Sequence, residues 1–333
     1  MRARRGGFAS WISALLAVAA AAAYGGLSQV GFSQAPLSTP AARSDIQVVA
    51  FALARQSETR WRDGKRTEAR SETEILPLVV IQQGRYVEVE NDASDERHRG
   101  AVEHMLKQFP TYQVLRWGVA QKQLRVASAR QQLFQCSELV VGAAEPALRT
   151  DDFWNEQTVS DKDTETTILI SRPFLAVSGE RGGPDLRAPV GSRSALRRRV
   201  EEFVLKAAKE VAREKNFAFE PGPEVKLTYM HFFRLGAERV AVAKVWMRGP
   251  EKIFPLLLFA RVPERGEPGL VANLASEEVL QGASGYDFID AAELRGQAVV
   301  FVQYGTTEQV EFIILEWRDG KLAEAFRGGG YGC

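Results

Sequence analysis

The chain has two cysteines, and a thiol can form a disulfide, act as a nucleophile or serve as a redox centre. Cys136 lies in the apolar segment LFQCSELVVG, and Cys333 ends the glycine-rich tail RGGGYGC. A catalytic or redox thiol needs a neighbouring base or a C-x-x-C spacing, and neither cysteine has one in the sequence. Outside the cytoplasm, a sparse and even number of cysteines is most simply a disulfide. The sequence therefore predicts a bridge between Cys136 and Cys333.

Histidine is scarce, which limits the acid–base and metal chemistry that the sequence can indicate. The chain has His98, His104 and His231. The first two are six residues apart in a predicted helix, so they do not share a face at ligand spacing. No G-x-S-x-G segment supplies a nucleophilic serine. We therefore assign no catalytic residue, although carboxylates that pair only in space leave a carboxylate-dependent hydrolase as an alternative.

One acidic cluster has the first half of a calcium-binding loop. Asp161, Asp163 and Glu165 occupy positions one, three and five of an EF-hand pattern. The same pattern needs glycine at position six and glutamate at position twelve, where this chain has Thr166 and Arg172. The cluster is not expected to bind calcium.

A second acidic stretch, GYDFIDAAELRGQAVVFVQYG, lies near the C-terminus. Over residues 286–304 it resembles the Asp-rich loop and strand of FG-GAP (integrin-like) repeat units, in a degenerate form. Where that family places successive carboxylates, this chain has Glu293, Arg295 and Gln297, with Gly296 retained. A cation at a ligand position argues against calcium, so we expect no metal and no cofactor. The wider C-terminal layout is similar to uncharacterised exported bacterial proteins, a resemblance that implies no activity.

Tryptophans offer another kind of site, since an indole ring can stack on a sugar. Five of them lie outside the N-terminal segment: Trp61, Trp117, Trp154, Trp246 and Trp317. Tryptophans in strands more often pack in hairpins or cores, and that interpretation is favoured here.

The N-terminus predicts export. Arg2, Arg4 and Arg5 precede an uncharged, mostly apolar run from Phe8 to Phe32. A basic start followed by an apolar run is typical of a signal peptide, and this run is also long enough to stay as a membrane anchor. We assign residues 1–33 to a signal peptide or anchor helix and residues 34–44 to a linker. The body of the chain is expected in the periplasm or another extracytoplasmic space, tied to the inner membrane if the run is retained.

The rest of the chain is predicted to be an α+β protein, mostly antiparallel β-sheet with two amphipathic helices. Helical periodicity covers SDERHRGAVEHMLKQF, with Ser94 as the expected cap, and SALRRRVEEFVLKAAKEVAREKNF, capped by Ser194. Between and after them, β-branched and aromatic runs follow one another with turn residues between. The stretch WRDGK occurs twice, at Trp61–Lys65 and at Trp317–Lys321. Asp-Gly favours two-residue hairpin turns, so we interpret both copies as turns rather than a duplicated site.

A Gly- and Pro-rich segment divides the body. We predict an N-terminal β-rich domain over residues 45–177, a linker over residues 178–193 and a C-terminal domain over residues 194–333. The 43 basic and 42 acidic residues give a net charge of +1, which does not favour nucleic acid as a partner. The expected function is a non-catalytic envelope protein that binds an unknown envelope protein or ligand, or has a structural role. A carboxylate hydrolase and a small-molecule or lipid carrier are the alternatives.

Export can be tested directly. Residues 1–45, fused to a reporter that is active only outside the cytoplasm, should give a positive signal, because the basic start and apolar run are recognised together. Replacement of Arg2, Arg4 and Arg5 by glutamate provides the matched control. A silent reporter that accumulates in the cytoplasm contradicts the prediction, and the mass of the mature chain separates cleavage from anchoring.

Overall fold

The structure is a computed structural model, and it describes most of the chain between residues 46 and 332. The described ranges are 46–60, 66–134, 136–148, 156–161, 166–171, 173–179, 183–191, 194–215, 217, 224–248, 253–276, 285–306 and 309–332. The N-terminal segment, the linker that follows it and Cys333 lie outside these ranges. Residues Asp45–Cys333 form one compact unit.

Within the described ranges, the first sheet has nine strands, each antiparallel to its neighbours. Its order is β3-β2-β6-β5-β4-β9-β1-β8-β7. Because β1 also pairs with β2, the strands β1, β2, β6, β5, β4 and β9 form a closed ring of pairings. The strands are β1 (Ile46–Arg60), β2 (Arg66–Gln82), β3 (Arg85–Glu88), β4 (Thr111–Arg116), β5 (Val119–Phe134), β6 (Ser137–Glu145), β7 (Glu156–Asp161), β8 (Thr166–Ser171) and β9 (Phe174–Ser178).

Helix α1 (Glu96–Gln108) covers one side of the first sheet. Asp95 caps it, since its carboxylate accepts hydrogen bonds from the N–H groups of Arg97 and His98 at 2.8 and 3.4 Å. The prediction of Ser94 as the cap was wrong by one residue, because its hydroxyl donates to Asp92 instead. Small residues on the sheet let the helix come close: a Cβ added at Gly142 would lie 3.2 Å from a methyl group of Leu106. The space between α1 and the sheet is therefore packed with side chains.

The second sheet and helix α2 (Ala195–Glu214) form another two-layer unit. Ser194 caps α2 as predicted, accepting from the N–H of Arg197 at 3.1 Å. Alternation along the strands places Ala243 and Val245 against the helix and Val242 on the opposite face. The four strands, in spatial order, are β10 (Glu224–Leu235), β11 (Glu238–Arg248), β12 (Ile253–Arg261) and β13 (Gly269–Ala275).

The third sheet packs against both of the others. Its ring contacts show this directly: Phe312 lies 4.2 Å from Phe51 of the first sheet, and Phe288 lies 5.5 Å from Phe233 of the second, measured between ring centroids. Each contact belongs to a separate hydrophobic core. The third sheet is therefore the layer that the two halves of the chain share. Its strands, in order, are β14 (Gly285–Leu294), β15 (Gln297–Gly305), β16 (Gln309–Arg318) and β17 (Lys321–Gly332).

Two-residue turns that end in glycine set several of the hairpins. Asp319 and Gly320 have φ values of 49° and 76°, which joins β16 to β17 and confirms the predicted hairpin at the second WRDGK copy. Arg295-Gly296 and Trp117-Gly118 have the same geometry, with φ of 52° and 77° and of 53° and 77°. The first copy, Trp61–Lys65, lies outside the described residues, although β1 and β2 on either side of it pair antiparallel.

The strand-rich class with antiparallel sheets and two amphipathic helices is confirmed. Among the described residues, no helix is both long and apolar enough to cross a bilayer. The division at residues 178–193 stays a prediction, and the two sides of it contribute residues to the same cores. The residues on the two sides therefore depend on each other for burial of apolar surface.

Candidate functional site

The predicted disulfide involves one described cysteine. Cys136 directly precedes β6, whereas Cys333 lies outside the described residues. Their chain neighbours are in contact. The Ser137 hydroxyl donates to the carbonyl of Gly332 at 2.6 Å, and the N–H of Gly332 donates to the Ser137 hydroxyl oxygen at 3.1 Å. This contact between the chain neighbours of the two cysteines is compatible with the predicted bridge. The bridge itself remains a prediction.

The histidines are not brought together. His98 lies 2.9 Å from Glu90, and His104 is exposed on α1. His231 lies on β10, where its ring is 5.1 Å from the ring of Tyr229. Among the described residues, no group of three or more His, Cys, Asp or Glu side chains could hold a metal ion.

The two acidic stretches have different outcomes. Asp161 ends β7, while Asp163 and Glu165 lie outside the described residues. The stretch that resembles an FG-GAP unit forms β14, the Arg295-Gly296 turn and β15, so it is a hairpin rather than an acidic loop. Its carboxylates Asp287 and Asp290 interact with protein groups, as described below. The resemblance stays a prediction.

Two carboxylates meet at Arg130, which bears on the hydrolase alternative. One guanidinium nitrogen lies 2.6 Å from Glu72 and 2.6 Å from Glu74, whose side chain is fully buried. Burial lowers the pKa of Arg130, but hydrogen bonds to both carboxylates outweigh it and raise that pKa. A catalytic pair must flank one reacting bond, whereas these two carboxylates bind the same guanidinium nitrogen. The arrangement fits a tie between β2 and β5 better than a catalytic pair.

The best candidate for a binding site is a group of polar and aromatic side chains between the second and third sheets. We call it the Lys244 cluster, and it consists of Tyr229, His231, Lys244, Trp246 and Asp287. β10 provides the first two residues, β11 the next two and β14 the last. Tyr229 and Lys244 are direct partners across the β10–β11 ladder, which brings their side chains together on one face.

An ion pair lies at the centre of the Lys244 cluster. Lys244 Nζ is 2.7 Å from Asp287 Oδ1, with side-chain exposures of 8% for the lysine and 29% for the aspartate. The Tyr229 hydroxyl accepts a hydrogen bond from the N–H of Phe288 at 3.0 Å and lies 3.5 Å from the same carboxylate oxygen. The ammonium is therefore inside, and the carboxylate is the charged group of the pair that solvent reaches.

Aromatic rings surround this pair. Lys244 Nζ lies 5.5 Å from the centre of the Trp246 ring, within the range of a cation–π contact. The rings of Tyr229 and His231 stack at 5.1 Å with an interplanar angle of 27°. The Trp246 indole nitrogen is buried, and none of the described residues accepts a hydrogen bond from it. A buried donor without an acceptor is costly, so an acceptor from outside would be stabilised here.

The strand directions place the Lys244 cluster at one end of the sandwich of second and third sheets. Lys244 and Trp246 come near the end of β11, and Asp287 comes near the start of β14. The chain connects β11 to β12 and β13 to β14 at this end. Ends of sandwiches where connections gather are common positions for binding sites, because a rigid scaffold holds the residues there.

The buried carboxyl group of Asp290 links the first sheet to the third. Asp290 Oδ1 accepts hydrogen bonds from the N–H groups of Trp117 at 2.7 Å and Ala291 at 2.8 Å. Burial raises the pKa of Asp290 to about 7, although both N–H groups and the charge of Arg116 favour the ionised form. The carbonyl of Trp117 accepts from the N–H of Leu186 at 3.0 Å. Asp290 therefore binds the N–H of Trp117 and Leu186 binds its carbonyl, so both backbone groups of this turn residue are hydrogen-bonded.

The other tryptophans follow the packing interpretation where they are described. The Trp117 ring stacks on Phe288 at 5.3 Å, and Trp317 packs against the core between the second and third sheets. Trp61 and Trp154 lie outside the described residues.

Sequence reasoning missed Lys244, Asp287 and Asp290 as partners. A usable signal exists for the lysine, because it interrupts the apolar strand RVAVAKVWM and a buried ammonium needs a carboxylate. The sequence does not say which carboxylate, since Asp287 is far away along the chain. The spacing of Asp287 and Asp290 in the sequence also does not distinguish them from ordinary strand residues.

Comparison with known proteins adds no family to this geometry. No protein-family model matches the chain, and no curated protein or solved structure matches it.

The buried carboxyl of Asp290 predicts a pH-dependent stability. Its folded pKa of about 7 exceeds the model-peptide value of 3.8, so its contribution is fully present below pH 3.8 and is lost as the pH rises through 7. The free energy of unfolding should fall by about 1.4 kcal/mol per pH unit across this window, relative to Asp290→Asn. Asparagine keeps an acceptor for both N–H groups but does not titrate.

Urea unfolding of the two proteins at pH 5, 6, 7 and 8 measures this difference, and contributions from other groups cancel between them. Parallel curves for the wild type and Asp290→Asn would show that the carboxyl group does not titrate in this range.

The disulfide is tested by counting thiols. Denatured protein from the envelope should show no free thiol until it is reduced, and peptide mapping should join Cys136 to Cys333. A loop of about two hundred residues implies a stabilisation on the order of 4–5 kcal/mol, so Cys333→Ser should lower the free energy of unfolding by up to this amount. Two free thiols in unreduced material rule the bridge out. Ser137→Ala, which removes only the neighbouring hydrogen bonds, is the control.

Proposed function

We propose that this chain is a non-catalytic binding protein of the cell envelope, periplasmic or tethered to the membrane, and that the Lys244 cluster is its ligand site. The Arg-flanked apolar run at the N-terminus supports the location. The observation that carries the binding role is the Lys244–Asp287 ion pair, in which a buried cation holds a solvent-reachable carboxylate.

The energetic argument begins with the cost of this ion pair. Taking an ammonium out of water costs several kcal/mol even when a carboxylate repays part of it, and apolar residues in its place are often neutral or stabilising. Val242, the neighbour of Lys244 on the same face of the strand, is a fully buried apolar residue. A lysine at this position is therefore better explained by a role that needs its charge than by stability.

The geometry favours binding over hydrolysis at this cluster. Hydrolysis through carboxylates needs two acids that flank one reacting bond. Here Asp287 and Asp290 of β14 have different partners: Asp287 contacts Lys244, whereas Asp290 contacts the N–H groups of Trp117 and Ala291. One accessible carboxylate with aromatic rings beside it can orient a ligand without activating water.

Thermal unfolding in the presence of an envelope extract tests the proposal. A deproteinised extract of the envelope of the producing cells should raise the melting temperature of the full chain by a few degrees, because a ligand that binds only the folded state stabilises it. Asp287→Asn should lose this rise, since it keeps the shape but removes the charge that Lys244 holds.

Glu311→Gln is the matched control, because Glu311 has a similar side-chain exposure of 27% and also contacts a cation, Arg327, at 3.2 Å. It should keep the rise. A rise that is equal in the wild type and Asp287→Asn, or no rise with the wild type, contradicts the proposed function.

A further inference from the structure

The chemistry of the Lys244 cluster also defines a ligand class. We propose that the site takes a neutral saccharide with adjacent hydroxyl groups. This inference rests on the proposed function, and it goes further by naming what the site recognises.

The first argument is the accessible carboxylate of Asp287. The Lys244 ammonium and the Asp287 carboxylate are 2.7 Å apart, and the carboxylate is the exposed member. A carboxylate can accept from more than one donor, whereas an ammonium has donors only. Two adjacent hydroxyl groups can each donate to one oxygen of the same carboxylate, which fits the exposed member of the pair.

The second argument is the unfilled donor of Trp246. Its indole N–H is buried and donates to none of the described residues, so it needs an acceptor that is small enough to enter. A hydroxyl oxygen meets this need. Water can occupy the same position before the ligand arrives.

The third argument is the aromatic surface. Tyr229, His231 and Trp246 are partly exposed and place three flat rings near the ion pair. Flat rings suit a ligand that has an apolar face and a polar edge. The C–H face of a sugar ring and its hydroxyl edge combine these properties.

The fourth argument is charge. The charges of Lys244 and Asp287 offset each other within the ion pair. A ligand with a single net charge would have to break the pair or leave its own charge uncompensated, which is costly in a partly buried site. A zwitterionic peptide is the competing class, because its two ends could exchange partners with the pair. Saccharide is favoured because peptide ends do not use the ring surface.

Chemical treatment of the extract separates these classes without knowledge of the ligand's identity. Periodate cleaves adjacent hydroxyl groups, and a broad-specificity peptidase removes peptides. The rise in melting temperature of the full chain should be lost after periodate treatment and should survive the peptidase. Extract mixed with periodate that was first quenched with ethylene glycol is the control for the reagent.

Direct titration with maltotriose and chitotriose, followed by tryptophan fluorescence, is the second measurement. At least one of them should bind the wild type, and Asp287→Asn should weaken its binding about tenfold or more, because a hydrogen bond to a charged group is lost. Trp246→Phe should also weaken it, while Glu311→Gln should not. Circular dichroism of each variant shows whether it is folded, and if Asp287→Asn does not fold, Trp246→Phe provides the same comparison.

The outcomes separate the two proposals. A rise that resists periodate but is lost with the peptidase overturns the saccharide class and leaves the binding site in place. A rise that resists both treatments also overturns it. Absence of any Asp287-dependent rise in untreated extract overturns the proposed function itself.

Discussion

The architecture depends on one contact between backbone and carboxylate. Asp290 of β14 accepts the N–H of Trp117, a residue in the turn between β4 and β5 with φ of 53°. A non-glycine residue at positive φ is strained, so it persists only where its surroundings over-determine it. Here the carboxylate holds the N–H of Trp117, Leu186 holds its carbonyl, and the indole ring is stacked on Phe288. A turn of the first sheet is thereby fixed against a strand of the third.

This contact helps to explain why the three sheets lie in one compact unit. Gly118 completes the turn, and a Cβ there would lie 2.8 Å from the carbonyl oxygen of Pro184, so the connecting segment passes directly over it. That segment then pairs with the edge of β10 through Arg187 and Phe233. One turn therefore contacts the connection between the predicted domains and the third sheet, and the second sheet follows through β10. Loss of the Asp290 acceptor would leave a buried N–H unpaired at the place where all these elements meet.

The sequence was informative where structure is local. Both helices, the cap at Ser194 and the Asp319-Gly320 hairpin follow from patterns within a few residues, and the structure has them. The hairpin at Arg295-Gly296 uses the same backbone geometry without the favoured Asp or Asn, so its signal is weaker. What the sequence could not indicate is which strands meet. Pairing of β1 with both β2 and β9, and contact of Lys244 with Asp287, depend on non-local packing that no local pattern records.

The ion pairs of this protein that contain a buried charge differ in whether the buried member is the acid or the base. At Arg130–Glu74 and Arg318–Glu316 the acid is buried and the guanidinium reaches solvent. In these pairs the group that a ligand can reach is therefore a guanidinium, which only donates hydrogen bonds.

The Lys244–Asp287 pair has the opposite order, with the cation inside and the acid outside. A lysine held in this way fixes a carboxylate in place from below, so the carboxylate loses little rotational freedom when a ligand donates to it. Pre-organisation of this kind lowers the entropic cost of binding, because the ordering has already been done in folding. The same charges that tie strands together elsewhere in the fold therefore become, with their order reversed, a surface suited to recognition.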